Sequence, residues 1–243
     1  RYAKSLGLAN SNFVNATGWP DVENYSSAKD LANLSSNLIK KFPEHYSLYK
    51  IKSFTYNDIK QRNRNGLLWQ DESVDGLKTG HTEAAGYCLV SSAIRGETRL
   101  IAVTLNSSSE KRRLTDNRRL LDYGFRYFRT KKVLTAGQKL KENQVQIWGG
   151  QKETVLIAPE EDLYLTLPIR DFKRVEPILV LNNYVQAPVP EGQVVGKAVL
   201  KMDEEEIGKV NLVSLENIEA QGLFGRAWSN IKLLVYRFLM NEG

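Results

Sequence analysis

The spacing of apolar residues divides the chain into parts with different predicted structure. In the first part, residues 26–41 and 107–128 carry apolar side chains three and four positions apart, which predicts two amphipathic helices. Residues 87–93 and 99–105 are rich in apolar and β-branched side chains, and the short polar segment between them predicts a β-hairpin. Strands flanked by helices indicate an α/β (α+β) domain over residues 1–130.

Each predicted helix follows a serine that is suited to cap it. Ser26 or Ser27 precedes the first helix, and Ser107 or Ser108 precedes the second. A serine hydroxyl at this position accepts a hydrogen bond from a free backbone amide of the first turn. The expected buried stripes are Leu31, Leu34, Leu38 and Ile39 in the first helix and Leu114, Leu121, Phe125 and Phe128 in the second.

Residues 131–220 have little helical periodicity and many turn-forming residues. Short β-prone runs separated by Gly, Asn and Pro are typical of an all-β sandwich domain. The expected strands are residues 144–148, 154–158, 163–167, 178–181, 194–202 and 210–215. The sequence shows no catalytic constellation in this predicted β-sandwich domain.

The last segment, residues 221–243, is predicted to be an amphipathic helix. Its apolar residues follow alternating steps of four and three, and charged residues such as Arg226 and Arg237 lie mostly on another face. The segment is too short and too charged to span a bilayer, and its composition is typical of a helix in a membrane interface. A terminal helix packed on the protein's own core is the alternative. The expected membrane-facing residues are Phe224, Trp228, Ile231, Val235, Phe238 and Leu239.

Composition argues against several classes of function. The chain of 243 residues has one cysteine, Cys88, so it forms no intrachain disulfide, and the apolar run around Cys88 favours a buried small side chain over a nucleophile. Two histidines and one cysteine are too few for a clustered metal site. The net charge is +6, and a basic cluster in residues 111–119 lacks interleaved aromatics, which favours a solvated helix face over nucleic-acid binding. That cluster comprises Lys111, Arg112, Arg113, Arg118 and Arg119.

The segment Lys78-Thr79-Gly80 carries the strongest chemical signal in the chain. Lysine supplies a cation for a substrate carboxylate, threonine supplies a hydroxyl donor, and glycine without a Cβ lets a substrate backbone approach closely. A Lys-Thr-Gly segment on a strand lines one wall of the acyl-serine site in penicillin-binding proteins and class A β-lactamases. The tripeptide alone also occurs in ordinary turns, so its surroundings decide its meaning.

The residues around the tripeptide extend this similarity. Asp75-Gly76 before it, His81-Thr82 after it and Ala85-Gly86-Tyr87 leading into a strand resemble the low-molecular-mass penicillin-binding proteins. Within these, the chain is most similar to serine-type D-alanyl-D-alanine carboxypeptidases of the penicillin-binding protein 5 kind, of which it covers the later part. The resemblance implies the C-terminal portion of a serine-peptidase/β-lactamase-like domain at residues 1–130, a β-sandwich domain at 131–220 and a membrane-anchor helix at 221–243.

The resemblance also implies a role for each residue of the motif. Lys78 would bind the terminal carboxylate of the substrate, Thr79 would donate a hydrogen bond to it, and Gly80 would admit the peptide. His81 would lie beside the site, with a purely structural role as the alternative. Arg64 is similar in position to an arginine that leans toward the same carboxylate, and a solvated loop arginine is the alternative. Asn65-Gly66 next to it suits a tight turn.

Two serine motifs elsewhere match catalytic spacings of this superfamily. Ser26-Ser27-Ala28-Lys29 has the serine-x-x-lysine spacing, and Ser35-Ser36-Asn37 has the serine-x-asparagine spacing. The first is the expected helix cap and the second lies within the same helix, so neither is expected to be catalytic. Residues 1–6 followed by Gly7 predict the end of a helix. The nucleophilic serine, its lysine and a second serine are therefore expected upstream of Arg1.

The resemblance implies a periplasmic protein, peripheral on the outer face of the bacterial inner membrane. Such carboxypeptidases remove the terminal D-alanine of peptidoglycan pentapeptide through an acyl-serine, β-lactams such as penicillin acylate the same serine, and no metal or organic cofactor is implied. The expected partners are a stem peptide ending in D-Ala-D-Ala, β-lactam inhibitors and the membrane surface, but no nucleic acid. Two alternatives remain open: a catalytically inactive penicillin-binding fold used as a scaffold, and a membrane-associated β-domain protein in which Lys78-Thr79-Gly80 is incidental.

Overall fold

The computed structural model describes residues 1–140, 144–182 and 184–240, with the backbone alone for residues 144, 230 and 235–240. Its contacts divide into two compact units, Arg1–Arg129 and Thr130–Gly243. Each unit has a hydrophobic core of its own.

The first unit combines helices with a three-stranded antiparallel sheet. Its elements in chain order are α1 (Tyr2–Ser5), α2 (Ala28–Lys41), α3 (Pro43–Tyr46), a 3-10 turn (Ser47–Lys50), β1 (Ser53–Tyr56), β2 (Ile59–Arg62), a second 3-10 turn (Gly66–Trp69), β3 (Val74–Thr82), β4 (Gly86–Arg95), β5 (Thr98–Ser107) and α4 (Glu110–Tyr127). The sheet has the order β3-β4-β5, so β3 lies at an edge. Helices α2 and α4 pack against β4 and β5.

The core of the first unit lies between this sheet and α4. Leu89 and Ala93, which are both fully buried, come from alternate positions of β4 and point to one face of the sheet. Leu121 and Phe125 of α4 pack in the same cluster and are 2% and 5% exposed. The stripe predicted for the second helix is thus confirmed at these two positions.

Both predicted long helices form, one of them with a different cap. Ser27 caps α2, and its hydroxyl accepts a 3.2 Å hydrogen bond from the amide of Asp30. Ser109 caps α4, and its hydroxyl accepts a 3.1 Å hydrogen bond from the amide of Arg112. The prediction of Ser107 or Ser108 as this cap was wrong because β5 extends through Ser107, which therefore pairs within the sheet.

Strands β1 and β2 form a hairpin that the apolar pattern predicts only in part. Residues 54–57 indicate a strand end and a turn, and positive φ angles of 47° at Asn57 and 62° at Asp58 close that turn. Every residue of β2 is exposed, so the strand lacks the alternation that marks a half-buried strand. Asn65-Gly66 begins the second 3-10 turn, as the expected tight turn requires: the amide of Leu68 donates a 3.3 Å hydrogen bond to the carbonyl of Asn65, and the Asn65 side chain caps the turn.

The described residues of the second unit form strands followed by a helix. Its elements are β6 (Phe128–Leu134), β7 (Gln144–Trp148), β8 (Thr154–Pro159), β9 (Leu163–Pro168), a 3-10 turn (Ile169–Arg174), β10 (Val175–Leu181), β11 (Val185–Gln186), β12 (Val194–Met202), β13 (Glu205–Ser214) and α5 (Leu223–Met240). Six strands form one sheet in the order β10-β12-β13-β8-β7-β11, and β6 pairs with β9 in a second sheet. All six predicted strand runs appear as strands, whereas β6 and the two-residue β11 were not predicted.

Branched aliphatic residues fill the core of the second unit. Val145, Ile157, Val195, Leu212 and Ile218 are each at most 2% exposed. Leu134 of β6 and Leu163 of β9 pack against this cluster, so both sheets contribute to one core. The two-sheet arrangement agrees with the predicted β-rich second part of the chain.

Helix α5 buries Leu233 on one side and exposes apolar residues on another side. It contacts β7, and Leu233 is 4% exposed, as the alternative of a helix packed on its own core predicts. Phe224, Trp228 and Ile231 lie on another side of the helix and are 94%, 61% and 55% exposed. The side chains of Val235, Phe238 and Leu239 lie outside the described part of the structure. Among the described residues, no helix combines the length and the apolarity needed to cross a membrane.

Candidate active site

Strand β3 carries Lys78-Thr79-Gly80 along an edge of the sheet of the first unit. One side of the strand pairs with β4, which places Gly80 opposite Cys88. Among the described residues, a Cβ built on Gly80 would have only the Cys88 Cβ within 4 Å, at 3.9 Å. No described strand pairs with the other edge of β3, so this edge can receive an extended peptide, as in recognition by strand addition. Cys88 is half-buried, so the expectation of a buried small side chain holds only in part.

The side chains of the tripeptide alternate in exposure. Lys78 and Gly80 are exposed, whereas Thr79 between them is 8% exposed. Since successive side chains of a strand point to opposite faces, Lys78 and Thr79 project to different sides of β3. The Lys78 ammonium folds back along the strand and donates a hydrogen bond to the carbonyl of Thr79.

Lys78 lies among other cations. Burial of its ammonium end against the strand lowers the pKa of Lys78, and repulsion from the guanidinium groups of Arg64 and Arg113 lowers this pKa further. The repulsion between Lys78 and these two guanidinium groups is unfavourable, and a bound anion relieves it. The electrostatics at this edge of the sheet therefore favour a carboxylate.

Arg113 was assigned to the solvated basic face of α4, and this assignment was wrong. Arg113 is 3% exposed, whereas the side chains of Arg118 and Arg119 are 54% and 70% exposed. Its NH1 donates a long, 3.5 Å hydrogen bond to the carbonyl of Gly80, and its guanidinium lies 5.6 Å from the centre of the Tyr87 ring. Its Nε is buried and has no hydrogen-bond partner among the described residues. Arg113 thus joins α4 to the Lys-Thr-Gly segment.

Helical spacing was the signal that distinguishes Arg113 from its basic neighbours. Arg113, Asn117, Leu121 and Phe125 are each four residues apart, and all four are at most 5% exposed. Residues with this spacing share one helix face. An arginine in line with a buried stripe is directed toward the interior, where it has a structural or a binding role. Glu110 pairs with Arg113 at 3.0 Å.

Arg64 lies on the loop between β2 and the second 3-10 turn, and its side chain is exposed. The next residue, Asn65, is 1% exposed and donates a 2.9 Å hydrogen bond from Nδ2 to the carbonyl of Gly76 in β3. The segments that carry Arg64 and Lys78 are therefore joined by a direct hydrogen bond. This arrangement brings Arg64 close enough to influence the pKa of Lys78.

His81 stacks on Tyr87 of the neighbouring strand. The two residues are paired in the β3–β4 ladder, and their ring centres are 4.0 Å apart with an angle of 31° between the planes. The contact is of the kind expected for a structural role. His81 is also exposed and follows Gly80 directly, so the structure brings it to the same edge as Lys78.

The serines of the two spacing motifs have structural partners. The Ser26 hydroxyl lies 2.7 Å from that of Ser11, and the Ser11 hydroxyl donates a 2.7 Å hydrogen bond to the buried carboxylate of Asp30. The Ser35 hydroxyl donates a 2.7 Å hydrogen bond to the carbonyl of Leu31 within α2. These contacts support the interpretation that both motifs belong to the loop and helix that they stabilise.

The two histidines of the chain lie in separate aromatic contacts. His81 stacks on Tyr87, and His45 meets Phe42 with ring centres 6.3 Å apart. Throughout residues 1–140, 144–182 and 184–240, no group of three or more His, Cys, Asp or Glu side chains is placed to hold a metal ion.

The fold and the edge-strand Lys-Thr-Gly define a protein of the penicillin-binding, serine-peptidase class, followed by a β-rich domain. Residues 1–109 match the family described as D-alanyl-D-alanine carboxypeptidase, and residues 128–220 match the C-terminal domain of penicillin-binding protein 5. The chain belongs to the low-molecular-mass penicillin-binding proteins of the penicillin-binding protein 5 kind.

Individual relatives are similar to the chain over nearly all of its length. The chain is 39% identical to D-alanyl-D-alanine carboxypeptidase DacA of Haemophilus influenzae over 97% of its own residues and 60% of the relative's. It is 38% identical to DacA of Escherichia coli K12 over 98% of its residues and 59% of the relative's. A crystal structure of penicillin-binding protein 5 from Haemophilus influenzae is 38% identical, with a TM-score of 0.72 over 90% of this chain and 64% of that one. The chain thus spans less than two thirds of the length of these relatives.

Proposed function

We propose that the chain contributes one wall of the active site of a serine-type D-Ala-D-Ala carboxypeptidase. The observation that carries this proposal is the group of three cations at an open strand edge, Lys78 with Arg64 and Arg113 within electrostatic range. The proposed substrate is a peptidoglycan stem peptide, which ends in a D-alanine carboxylate. A preorganised cation group next to a peptide-binding edge suits this substrate because it holds the terminal carboxylate while the backbone lies along β3.

The proposed reaction transfers an acyl group through a serine that lies outside these 243 residues. The serine oxygen attacks the carbonyl carbon of the penultimate D-alanine, the bond to the terminal D-alanine nitrogen breaks, and that nitrogen leaves with a proton. Water then hydrolyses the acyl-serine and regenerates the hydroxyl. Lys78 binds the terminal carboxylate and maintains a positive field over the site, Thr79 donates a hydrogen bond, and Gly80 admits the peptide. β-Lactams acylate the same serine.

The proposed domain division follows the expectation from the sequence. Residues 1–130 form the portion of the peptidase domain that carries the wall, residues 131–220 form the β-sandwich domain, and residues 221–243 form a membrane anchor. The uncovered side of α5 supports the anchor, because Phe224, Trp228 and Ile231 together expose a large apolar area. The protein is proposed to be periplasmic and peripheral on the outer face of the inner membrane.

The test uses the full-length protein that contains this chain. It is incubated with a pentapeptide ending in D-Ala-D-Ala and with a labelled penicillin, and both released D-alanine and bound label are measured. Release of D-alanine that stops when the label is bound supports the proposal. A protein that neither releases D-alanine nor takes up the label contradicts it and favours the inactive scaffold or the membrane-associated β-domain protein.

A further inference from the structure

The Asn65 side chain is the centre of a hydrogen-bond network beside the candidate site. Its Oδ1 accepts a 3.2 Å hydrogen bond from the amide of Leu67, and its Nδ2 donates a 2.9 Å hydrogen bond to the carbonyl of Gly76. Its own amide donates a 2.9 Å hydrogen bond to Oδ1 of Asn63. With 1% exposure, Asn65 makes these contacts out of reach of water. A buried network in which each group has its partner has little freedom to move.

The carbonyl that Asn65 binds belongs to a β-bulge. The β3–β4 ladder pairs Val74 with Ala93 and Gly76 with Ser92, so Asp75 is an extra residue on β3. A bulge interrupts the regular ladder and bends the strand that contains it. Asn65 therefore supplies a side-chain partner at the point where β3 is least constrained by β4. Lys78 follows this point by two residues.

The loop that carries Arg64 is held on both sides. Asn63 precedes Arg64 and donates hydrogen bonds to the carbonyls of Tyr49 and Ile51 at 3.2 Å and 3.0 Å. Asn65 follows Arg64 and binds β3. The backbone of Arg64 is thereby fixed relative to the strand of Lys78, although the Arg64 side chain itself is exposed.

We infer that Asn65 is a positioning residue which sets the separation of Arg64 and Lys78 for a substrate carboxylate. The inference rests on the proposed function for its substrate, and on the hydrogen bonds of Asn65 for its geometry. Two cations hold one carboxylate well only at a fixed spacing, since misplacement of binding groups weakens the interactions that orient the substrate. Asn65 links the two segments directly, so it controls this spacing without contact to the substrate.

The test compares Asn65→Ser with a matched variant, Asn117→Ala, in the full-length protein. Serine retains a hydroxyl acceptor for the 3-10 cap but is too short to reach the Gly76 carbonyl. Asn117 is also a buried asparagine that donates to main-chain carbonyls, those of Leu89 and Ala102, which lie on β4 and β5 instead of β3. Asn117→Ala therefore removes similar buried hydrogen bonds away from the β3 bulge. Melting temperatures confirm that the variants are folded, and Asn65→Ala serves as a second variant if Asn65→Ser does not fold.

The first readout is the preference for a free carboxylate. The kcat/KM for a peptide ending in D-Ala-D-Ala is divided by that for the same peptide with a C-terminal amide. We expect Asn65→Ser to lower this ratio by about tenfold, mainly through the carboxylate substrate, and Asn117→Ala to leave it within about twofold. An unchanged ratio in Asn65→Ser contradicts the inference, because a merely structural role would lower both rates together.

The second readout does not depend on catalysis. The Lys78 ammonium is titrated by NMR in the wild type, in Asn65→Ser and in Arg64→Gln. Arg64→Gln is the reference variant: it removes the repulsion from Arg64 completely and leaves Arg113 in place, so the pKa of Lys78 should rise by the full amount that Arg64 contributes. We expect Asn65→Ser to reproduce part of this rise. If the pKa of Lys78 in Asn65→Ser equals that of the wild type, the inference about Asn65 is wrong, even if the proposed function is correct. If the wild-type protein releases no D-alanine, the proposed function alone is contradicted.

Discussion

The hydroxyl of Tyr46 donates a 2.6 Å hydrogen bond to the carboxylate of Asp75, three residues before Lys78 on the same strand. Arg99 pairs with the same carboxylate at 2.8 Å and also donates to the Ser92 hydroxyl at 2.7 Å. Asp75 is the extra residue of the β3 bulge, so the bulge directs its side chain into this network. The start of the Lys-Thr-Gly strand is therefore anchored by a phenol, a carboxylate and a guanidinium.

The first prediction concerns Tyr46→Phe. Phenylalanine retains the ring but leaves Asp75 without this donor, and we expect the free energy of unfolding to fall by about 1–2 kcal/mol, as for a hydrogen bond to a charged group. Chemical denaturation measures the change. Tyr49→Phe is the matched control, since the Tyr49 ring lies beside that of Tyr46 and its hydroxyl makes no hydrogen bond among those described. Equal effects of the two substitutions would contradict the anchoring role.

The second prediction is the pH dependence that Tyr46 confers. Burial, together with donation to Asp75, raises the pKa of Tyr46 above its usual value. As the pH rises above about 10, the unfolded chain loses the tyrosine proton first, so the folded state loses stability relative to it. We therefore expect denaturation midpoints above about pH 10 to fall less steeply in Tyr46→Phe than in the wild type. Parallel curves for the two proteins would show that the raised pKa is not a property of the folded state.

The third prediction separates Arg113 from its neighbours on α4. Arg113→Gln removes a buried cation from the group around Lys78, and we expect kcat/KM for the carboxylate substrate to fall at least about tenfold in the full-length protein. Arg118→Gln changes an exposed arginine on the same helix and is expected to leave kcat/KM within about twofold. Comparable losses in both variants would indicate a general effect of charge on the helix instead of a specific role for Arg113.

The fourth prediction concerns the uncovered side of α5. Phe224→Ser combined with Trp228→Ser should release the protein from vesicles that contain anionic lipid, because it removes exposed apolar area, and should leave the melting temperature unchanged. Leu233→Ala should instead lower the free energy of unfolding by about 2 kcal/mol or more, since it opens a cavity in a buried contact. Sedimentation with vesicles and thermal unfolding give the two readouts. Release by Leu233→Ala alone, with no release by the double variant, would contradict the anchor.

The fifth prediction addresses the serine-x-x-lysine spacing at Ser26. Ser26 is hydrogen-bonded to Ser11, which in turn donates to Asp30, and this supports a structural role for Ser26. Residues 1–243 alone should therefore not form a covalent adduct with excess penicillin. Intact-mass measurement decides this. A single added penicillin mass that disappears in Ser26→Ala would make Ser26-Ser27-Ala28-Lys29 a catalytic motif.

Periodic patterns predicted the elements with one buried face. Leu121 and Phe125 repeat at helical spacing in α4, and the apolar runs of the β-rich unit became strands. Strand β2 was missed because all of its residues are exposed, and its pairing depends on the turn at Asn57 and Asp58. Such a hairpin is held by backbone hydrogen bonds, which leave no hydrophobic pattern.

The candidate site was predictable where its residues are adjacent in sequence. Lys78-Thr79-Gly80 is visible as a motif, whereas Arg113 comes to Gly80 only through the packing of α4 on the sheet. Arg112 and Arg113 are adjacent in sequence but lie on different faces of α4, so that Arg113 is buried and Arg112 is exposed. Amino-acid composition does not reveal this difference. The bulge at Asp75 and its partners Tyr46 and Arg99 also depend on contacts between distant segments.

The central claim is that Lys78 provides the cation of a site that acylates a serine. The most direct measurement is the rate of acylation by a labelled penicillin in the full-length Lys78→Ala protein, with Lys29→Ala as an exposed-lysine control. We predict a loss of at least about 10²-fold for Lys78→Ala, as for removal of a preorganised charge donor, and a rate close to that of the wild type for Lys29→Ala. A near-wild-type acylation rate in folded Lys78→Ala protein would contradict the account.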